Sequence, residues 1–276
     1  MLISFLRKWP NFRGKKRLVR LLFKKRIQTE RSLQLKGKYD CLYVVPNLTE
    51  NVSFDIFANG VYEQETIDLI CRFLPADGVF IDLGANIGAI LVPVAKILPG
   101  ASIIGVEAAP WLFSYLQENM ALNGLSGRVK LYNRALYNTD DQDLNFYSPG
   151  DKFGKGSLAP VFTDQATVVK TITLDTICKQ HSIDRVDVIK IDVEGFEYFV
   201  FQGGKELLAA DNAPVIIFEF ADWAENQAGG LKAGDAQRVL SDFGYKIYEF
   251  TSDKFVRLDQ IKTSGSANLI ASKISL

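Results

Sequence analysis

The sequence has few of the residues that build metal or disulfide frameworks. Its 276 residues include three cysteines and one histidine, and no two cysteines form a Cys-x-x-Cys pair. Because the cysteines are far apart and odd in number, neither a structural zinc site nor a disulfide scaffold is predicted. We interpret Cys41, Cys71 and Cys178 as buried free thiols of a protein in a reducing compartment, and we expect a cytoplasmic location.

Long apolar runs are also missing near the N-terminus. None reaches the length of a signal-peptide core or of a transmembrane helix, so neither secretion nor membrane crossing is expected. Residues 1–29 instead hold ten Lys or Arg and no acid, interleaved with Leu, Phe and Trp. Two interpretations stay open: a surface helix over residues 15–26 that packs its apolar stripe on the protein, or a basic amphipathic segment lying peripherally on the inner face of a membrane.

Charge of the opposite sign dominates the rest of the chain. The whole sequence has a formal net charge of zero, so the remaining 247 residues carry a net charge of −10. An acidic body argues against a nucleic-acid partner, since nucleic-acid affinity usually depends on a basic face.

Several ligand-binding motifs are absent. No Gly-Lys-Ser/Thr follows a glycine at P-loop spacing, and the dinucleotide fingerprint lacks one of its three glycines. Neither an Asn/Asp-Pro-Pro-aromatic nor a Pro-Cys motif of nucleic-acid base methyltransferases occurs. These absences argue against a phosphate cradle, a nicotinamide-dependent oxidoreductase and a base-modifying enzyme.

The strongest positive signal is residues 79–95, which read as buried strand, tight turn and helix. Asp82 ends the apolar run, and Gly84 and Gly88 follow it four residues apart. An acid beside the turn would repel a pyrophosphate, but it suits an amino group or hydroxyls. A ligand that carries both, with an adenosine, is S-adenosylmethionine, and so the turn favours a methyltransferase.

Three further strands also end in an acid, at Glu107, Asp192 and Glu219. Ligands bind at the carboxyl ends of strands in open α/β sheets, and we therefore expect one site here. The predicted fold is a Rossmann-like, doubly wound α/β sheet of seven strands, mostly parallel with one antiparallel edge strand. Residues 1–58 are expected to form a basic extension and a small hairpin or cap, with strands at 39–46 and 52–57, and residues 59–276 the main domain.

Each part of the predicted site has an expected role. Glu107 suits both ribose hydroxyls, Asn133 is expected at the adenine edge, and the backbone of four residues faces the amino-acid end of the cofactor: Gly84, Ala85, Asn86 and Gly88. Asp192 and Glu194 are expected to position the acceptor hydroxyl, take its proton or hold a metal ion, with Glu219 as a third group. Carboxylates without histidine or cysteine favour magnesium, and Asp192 and Glu219 are its candidate ligands.

The chain resembles the FkbM family of S-adenosylmethionine-dependent methyltransferases. The matching pieces lie within residues 58–220 and are Gly60-Val61-Tyr62-Glu63, Ile81-Asp82-Leu83-Gly84-Ala85-Asn86-Ile87-Gly88, Val106-Glu107-Ala108, Asn133-Arg134-Ala135-Leu136, Thr173-Leu174-Asp175 and Ile189-Lys190-Ile191-Asp192-Val193-Glu194-Gly195-Phe196-Glu197. The resemblance implies O-methylation of a hydroxyl on a sugar, glycolipid, polysaccharide or natural-product acceptor, with Tyr62 and Asp192 among the cofactor-binding residues. The alternative is a non-catalytic or differently specific Rossmann-like cofactor-binding protein, against which the intact acids argue.

Overall fold

The computed structural model describes residues 2–7, 9, 12 and 14–276, and only the backbone of residues 2, 4 and 5. The helices of this part of the chain are α1 (Leu2–Arg7), α2 (Lys15–Leu22), α3 (Lys24–Thr29), α4 (Asn51–Asn59), α5 (Gln64–Phe73), α6 (Leu91–Ile97), α7 (Pro110–Leu122), α8 (Leu174–Gln180), α9 (Glu197–Gln202), α10 (Lys205–Ala209), α11 (Asp222–Glu225) and α12 (Asp235–Asp242). The strands are β1 (Arg31–Lys36), β2 (Leu42–Asn47), β3 (Val79–Leu83), β4 (Ser102–Val106), β5 (Val129–Tyr132), β6 (Ala135–Leu136), β7 (Asp143–Tyr147), β8 (Ala166–Ile172), β9 (Val188–Ile191), β10 (Val215–Ala221), β11 (Lys246–Thr251), β12 (Lys254–Arg257) and β13 (Ser266–Ser272).

A large mixed sheet forms the centre of the molecule, with strand order β12-β11-β13-β10-β9-β3-β4-β5. The five strands from β10 to β5 are parallel, which confirms the predicted α/β class. The predicted count of seven strands is wrong, because the sheet has eight, and the predicted single antiparallel edge strand is replaced by two antiparallel strands: β13 lies inside the sheet, between β10 and β11, and β12 forms the edge. Residues 269–272 of β13 are buried, as an inner strand requires, and the short β12 pairs with β11 to form the edge.

Two hydrophobic clusters cover the two faces of this sheet. Alternate residues of β3 belong to different clusters: Phe80 packs on the side of α5 and α7, and Ile81 on the side of α9 and α12. The two-residue period of a strand produces this division, and burial on both faces explains the continuous apolar runs in the sequence. The carboxyl ends of the parallel strands therefore lie at one edge of a rigid layer.

The predicted strand at residues 52–57 is wrong, because this segment forms α4. The side chain of Asn47 accepts hydrogen bonds from the backbone N–H groups of Thr49 and Glu50 (both 3.0 Å) and turns the chain into the helix. Gly60, with φ of 81°, ends the helix in the left-handed conformation. Most residues of α4 are buried, and so its apolar pattern does not show helical periodicity.

A hairpin does precede the main sheet, but it pairs β1 with β2 rather than the two predicted segments. The outer edge of β2 is covered by Asn119 of α7 and by Asn123, the residue that follows this helix. The side-chain amide of Asn119 accepts a hydrogen bond from the N–H of Val44 and donates one to its carbonyl. The amide of Asn123 does the same with the N–H and carbonyl of Leu42, and all four distances are 2.6–3.1 Å.

The N-terminal segment packs on the same core as the rest of the chain. The predicted helix over residues 15–26 is divided at Phe23 into α2 and α3, whose Val19 and Ile27 are buried in the larger cluster. The Arg7 guanidinium donates to the carbonyls of Ile56 and Phe57 at 2.8 and 2.9 Å. The proposed domain boundary after residue 58 stays a prediction. Among the described residues, no helix has the length and apolar character needed to cross a bilayer.

Candidate active site

The turn after β3 is set by residues with positive φ. Gly84, Asn86 and Gly88 have φ of 84°, 53° and 84°. A side chain on Gly84 would overlap the carbonyl oxygen of Asp192, and one on Gly88 would lie 2.9 Å from the methyl of Met120. Gly84 thus lets the loops after β3 and β9 approach each other, whereas Gly88 lets the turn pack on α7.

Glu107, at the end of β4, holds this turn in place. One carboxylate oxygen accepts a hydrogen bond from the Asn86 N–H at 2.9 Å, and the other accepts from the Ala109 N–H at 2.8 Å. Burial raises the pKa of Glu107 to about 7, although both hydrogen bonds oppose the shift. Each oxygen keeps a second lone pair, and so the carboxylate can accept two further bonds from a ligand.

Asp82 is fully buried in β3, and neither carboxylate oxygen has a hydrogen-bond partner among the described residues. Lys190 of the adjacent β9 lies 3.7 Å from Asp82 and 3.4 Å from Asp192, measured from Nζ to the nearest carboxylate oxygen. Burial raises the pKa of Asp82 to about 6, and Lys190 partly offsets this. A buried carboxylate without hydrogen bonds is costly, and a donor such as an ammonium group would satisfy it.

A second group of carboxylates lies beyond β9 and β10. Asp192, Glu194 and Glu219 each offer an oxygen atom, and these atoms lie within 4.8 Å of one another. Glu194 and Gly195 have φ of 51° and 99° and form the tight turn after β9. Burial raises the pKa of Glu194 to about 8 and that of Glu219 to about 7, and the charge of Asp192 adds to both shifts. The group can therefore hold or release protons near neutral pH, or bind a cation.

Two cavities meet at these residues. The first, about 840 Å³, contains Asp82, Glu107 and the turn, and we call it the cofactor cleft. The second, about 760 Å³, contains Glu63, Glu219 and Asn268, and we call it the acceptor cavity. Both volumes include space open to solvent. The residues that line both cavities are Val52, Tyr62, Gly154, Lys190, Asp192 and Glu194.

Tyr62 lies at this junction with its side chain largely buried. Burial raises the pKa of its hydroxyl, and the neighbouring charges of Glu63 and Asp192 raise it further. The phenol therefore stays protonated and can donate a hydrogen bond between the two cavities.

The loop between β7 and β8 covers the cofactor cleft. The two strands pair antiparallel as a hairpin, and Phe153 in the loop is only 1% exposed. Its carbonyl oxygen accepts a hydrogen bond from the Asn86 side chain at 3.1 Å, and the Ser157 hydroxyl donates to the Glu194 carbonyl at 3.1 Å. Sequence reasoning missed Phe153, because an isolated apolar residue between Lys152 and Gly154 carries no periodic signal.

The predicted site residues are not all at the cavity walls. Neither Asn133 nor Gly88 lines the cofactor cleft. The Asn133 amide donates to the carbonyls of Glu107 and Ala108 at 2.8 and 3.0 Å, and the next residue, Arg134, lines the cleft instead. A role of Asn133 at the adenine edge stays a prediction. The remaining predicted site residues line one or both cavities: Tyr62, Asp82, Gly84, Ala85, Asn86, Glu107, Asp192, Glu194 and Glu219.

A Rossmann-like sheet with a glycine turn and acids at its strand ends is the architecture expected of the class of S-adenosylmethionine-dependent methyltransferases. Within that class the particular family follows from a family model described as "Methyltransferase FkbM domain", which matches residues 82–247. The match covers more than half of the chain, and the chain therefore belongs to the FkbM methyltransferase family.

Three relatives are similar to part of the chain. The hexuronic acid methyltransferase AglP of Haloferax volcanii is 27% identical over 180 residues, which are 65% of this chain and 68% of AglP. The 2-O-methyltransferase NoeI of Sinorhizobium fredii is 29% identical over 162 residues, 53% of this chain and 64% of NoeI. Methyltransferase 1 of Beauveria bassiana is 30% identical over 149 residues, 47% of this chain and 59% of that protein. The matched part makes up about three fifths to two thirds of the length of these three relatives. It makes up about a tenth of the length of a fourth relative, the antimetabolite synthetase AmbE of Pseudomonas aeruginosa.

Proposed function

We propose that this protein transfers a methyl group from S-adenosylmethionine to a hydroxyl of a sugar or of another hydroxyl-rich acceptor. The observation that carries the proposal is the junction of two cavities at Asp192, Glu194 and Tyr62. One cavity contains the turn and acids that suit the cofactor, and the other contains carboxylates that suit a hydroxyl. Direct transfer requires the two reactants to meet at such a junction.

The residues of the cofactor cleft fit S-adenosylmethionine. The unsatisfied carboxylate of Asp82 suits the ammonium group of the ligand, and the free lone pairs of Glu107 suit the ribose hydroxyls. Apolar side chains such as Leu112 and Phe153 line the rest of the cleft and suit the adenine. S-adenosylmethionine supplies an electrophilic methyl group on its sulfonium.

The carboxylates of the acceptor cavity orient the hydroxyl and take its proton. As the new carbon–oxygen bond forms and the sulfur–carbon bond breaks, the hydroxyl proton passes to a carboxylate. Glu219 and Glu194, with pKa values near 7 and 8, are partly ionised at neutral pH and suit this transfer. Lys190 contacts both Asp82 and Asp192 and fixes the distance between the two cavities.

The charge of the acceptor cavity favours a neutral acceptor. The cavity contains five carboxylate side chains, which are Glu50, Glu63, Asp192, Glu194 and Glu219, and only two ammonium groups, those of Lys155 and Lys190. The names of AglP and NoeI support sugar or O-linked chemistry for those relatives. We infer a hydroxyl without a neighbouring carboxylate in this protein, since like charges repel in a poorly solvated cavity.

A divalent cation is a second candidate for the acceptor cavity. The oxygens of Asp192, Glu194 and Glu219 are close enough to ligate one ion, and oxygen ligands without nitrogen or sulfur suit magnesium. A bound cation would lower the pKa values of these carboxyls and orient the hydroxyl. If a chelator leaves turnover unchanged and added magnesium does not restore or raise it, then proton transfer to carboxylate is the better account.

The location of the protein is part of the same proposal. Cys41 and Cys178 are buried, Cys71 is half-buried, and all three are free thiols in the structure. Free thiols agree with a reducing compartment, and we propose the cytoplasm.

Methyl transfer to matched acceptors tests the function. Radiolabelled S-adenosylmethionine is incubated with methyl glycosides of neutral hexoses and with the corresponding hexuronic acids. We expect transfer to a neutral glycoside at least about tenfold faster than to its uronic acid, because one unfavourable charge contact costs more than about 1 kcal/mol.

The variant Asp192→Asn should abolish most of this transfer, and the exposed Asp141→Asn serves as the matched control. Preferred transfer to the hexuronic acids would contradict the neutral acceptor. Binding of S-adenosylhomocysteine without transfer to any hydroxylated acceptor would instead favour the non-catalytic alternative.

A further inference from the structure

The N-terminal helices α2 and α3 have one face that packs on the protein. Lys16 forms an ion pair with Asp55 at 2.7 Å, and the Arg20 guanidinium lies 3.9 Å from the centre of the Phe54 ring. With the buried side chains of Val19 and Ile27, these contacts hold both helices against α4. The packed-helix interpretation therefore describes only half of the segment.

The opposite face is both apolar and basic. Leu21 is 72% exposed and Leu22 is 50% exposed, and they rank among the most exposed large apolar side chains of the described residues. Arg17, one helical turn before Leu21, is exposed, as are Lys24 and Lys25 just after it. In the described part of the chain, none of these three cations forms an ion pair. We call these five residues the basic apolar face.

We propose that the basic apolar face docks on an anionic lipid surface. The two leucines enter the boundary between headgroups and acyl chains, while the flexible cationic side chains reach the lipid phosphates. Charge complementarity selects this partner, because residues 1–29 carry ten basic groups and no acid. A nucleic-acid backbone would leave both leucines in water, and the net charge of −10 on the other 247 residues would oppose it.

Docking of this face has a consequence for the acceptor cavity. Arg20 donates a hydrogen bond to the side chain of Asn51 at 3.3 Å, and Glu50, Asn51 and Val52 line the cavity. The lipid surface would therefore lie about one helix diameter, roughly 10 Å, from residues that line the cavity. This placement suits an acceptor whose hydroxyls project from a lipid headgroup. This last step rests on the proposed function, whereas the docking itself does not.

Co-sedimentation with vesicles tests the docking. The full chain is mixed with vesicles of phosphatidylcholine alone or with added phosphatidylglycerol, and bound protein is measured in the pellet. We expect binding to the anionic vesicles only, and weaker binding at high salt. The triple variant Arg17→Gln, Lys24→Gln, Lys25→Gln should bind about a hundredfold more weakly, since each cation near an anionic surface contributes about fivefold. The double variant Leu21→Ser, Leu22→Ser should lose about tenfold or more.

Matched variants elsewhere on the surface provide the control. Val168 and Ile274 are 63% and 70% exposed, and their substitution by serine should leave vesicle binding unchanged. Unchanged affinity of all variants for S-adenosylhomocysteine shows that folding is intact and keeps this test separate from that of methyl transfer. Equal binding to neutral and anionic vesicles, insensitivity to the five substitutions, or binding only to RNA or to an acidic protein would overturn the proposal.

Discussion

The carboxylates of the cofactor cleft and those of the acceptor cavity have different surroundings. Glu107 receives two backbone hydrogen bonds, and its position is fixed by the turn that it holds. Glu194 and Glu219 instead lie close to Asp192, and this charge raises the pKa of both carboxyls beyond the effect of burial. Backbone donors make a carboxylate a rigid acceptor, whereas neighbouring acids make it a group that exchanges a proton.

The difference suggests a division of labour between the two cavities. The backbone turn and the apolar walls of the cofactor cleft suit a ligand of one particular shape. The acceptor cavity, with several acids and few cations, suits the proposed reaction at a hydroxyl. Four substitutions would test whether the two regions are separable.

Gly84→Ala should have the largest effect, because it breaks the junction between the two regions. The new methyl group would overlap the Asp192 carbonyl, and φ of 84° is strained for alanine. We expect a loss of about 3 kcal/mol or more in the free energy of unfolding, measured by denaturant titration. Gly124→Ala is the control, since φ is 71° there but no atom lies within 4 Å of the added carbon. A loss of only about 1 kcal/mol in the stability of this control would show that the rest of the Gly84→Ala effect comes from the overlap and not from backbone strain.

Asp82→Asn should weaken binding in the cofactor cleft and leave the acceptor cavity unchanged. It removes the charge that suits the ammonium group, and affinity for S-adenosylhomocysteine should fall by about tenfold or more in calorimetry. Glu219→Gln, in the acceptor cavity, should leave that affinity within about twofold while it slows methyl transfer. Equal losses of affinity in the two variants would show that the cavities do not work separately.

Glu194→Gln should have an effect on stability that grows as pH rises. The pKa of Glu194 is raised to about 8 in the folded protein, from an ordinary value of 4.5, by burial and by Asp192. The folded state therefore keeps a proton that the unfolded state loses, and the wild type loses stability as pH rises from about 4.5 to about 8.

Glutamine has no carboxyl to titrate, and the variant therefore does not lose stability in this way as pH rises. Relative to the wild type, Glu194→Gln should gain up to about 2 kcal/mol in the free energy of unfolding across this interval, after allowance for partial exposure. Thermal unfolding at several pH values measures the difference. A constant difference between the two proteins would show that Glu194 titrates at its ordinary pKa.

The sequence predicts the parts of the molecule that depend on local pattern. The run before Asp82 and the glycines after it define β3 and its turn, and acids after apolar runs locate most of the site. Features set by tertiary packing were missed or wrong. The buried α4 shows no helical period, β13 enters the sheet through pairing that no local signal encodes, and Phe153 reaches the cleft only because its loop folds over Asn86.

Asn119 of α7 and Asn123, which follows this helix, have a consequence for the behaviour of the chain at high concentration. Four residues of helix rise about 6 Å and two residues of strand about 6.8 Å, so Asn119 and Asn123 match successive outward-facing groups of β2. Their amides each donate to a carbonyl and accept from an N–H, as a neighbouring strand would. The hairpin therefore offers no open edge along Leu42–Val44 to the strand of another molecule, and this part of the fold is protected against edge-to-edge aggregation.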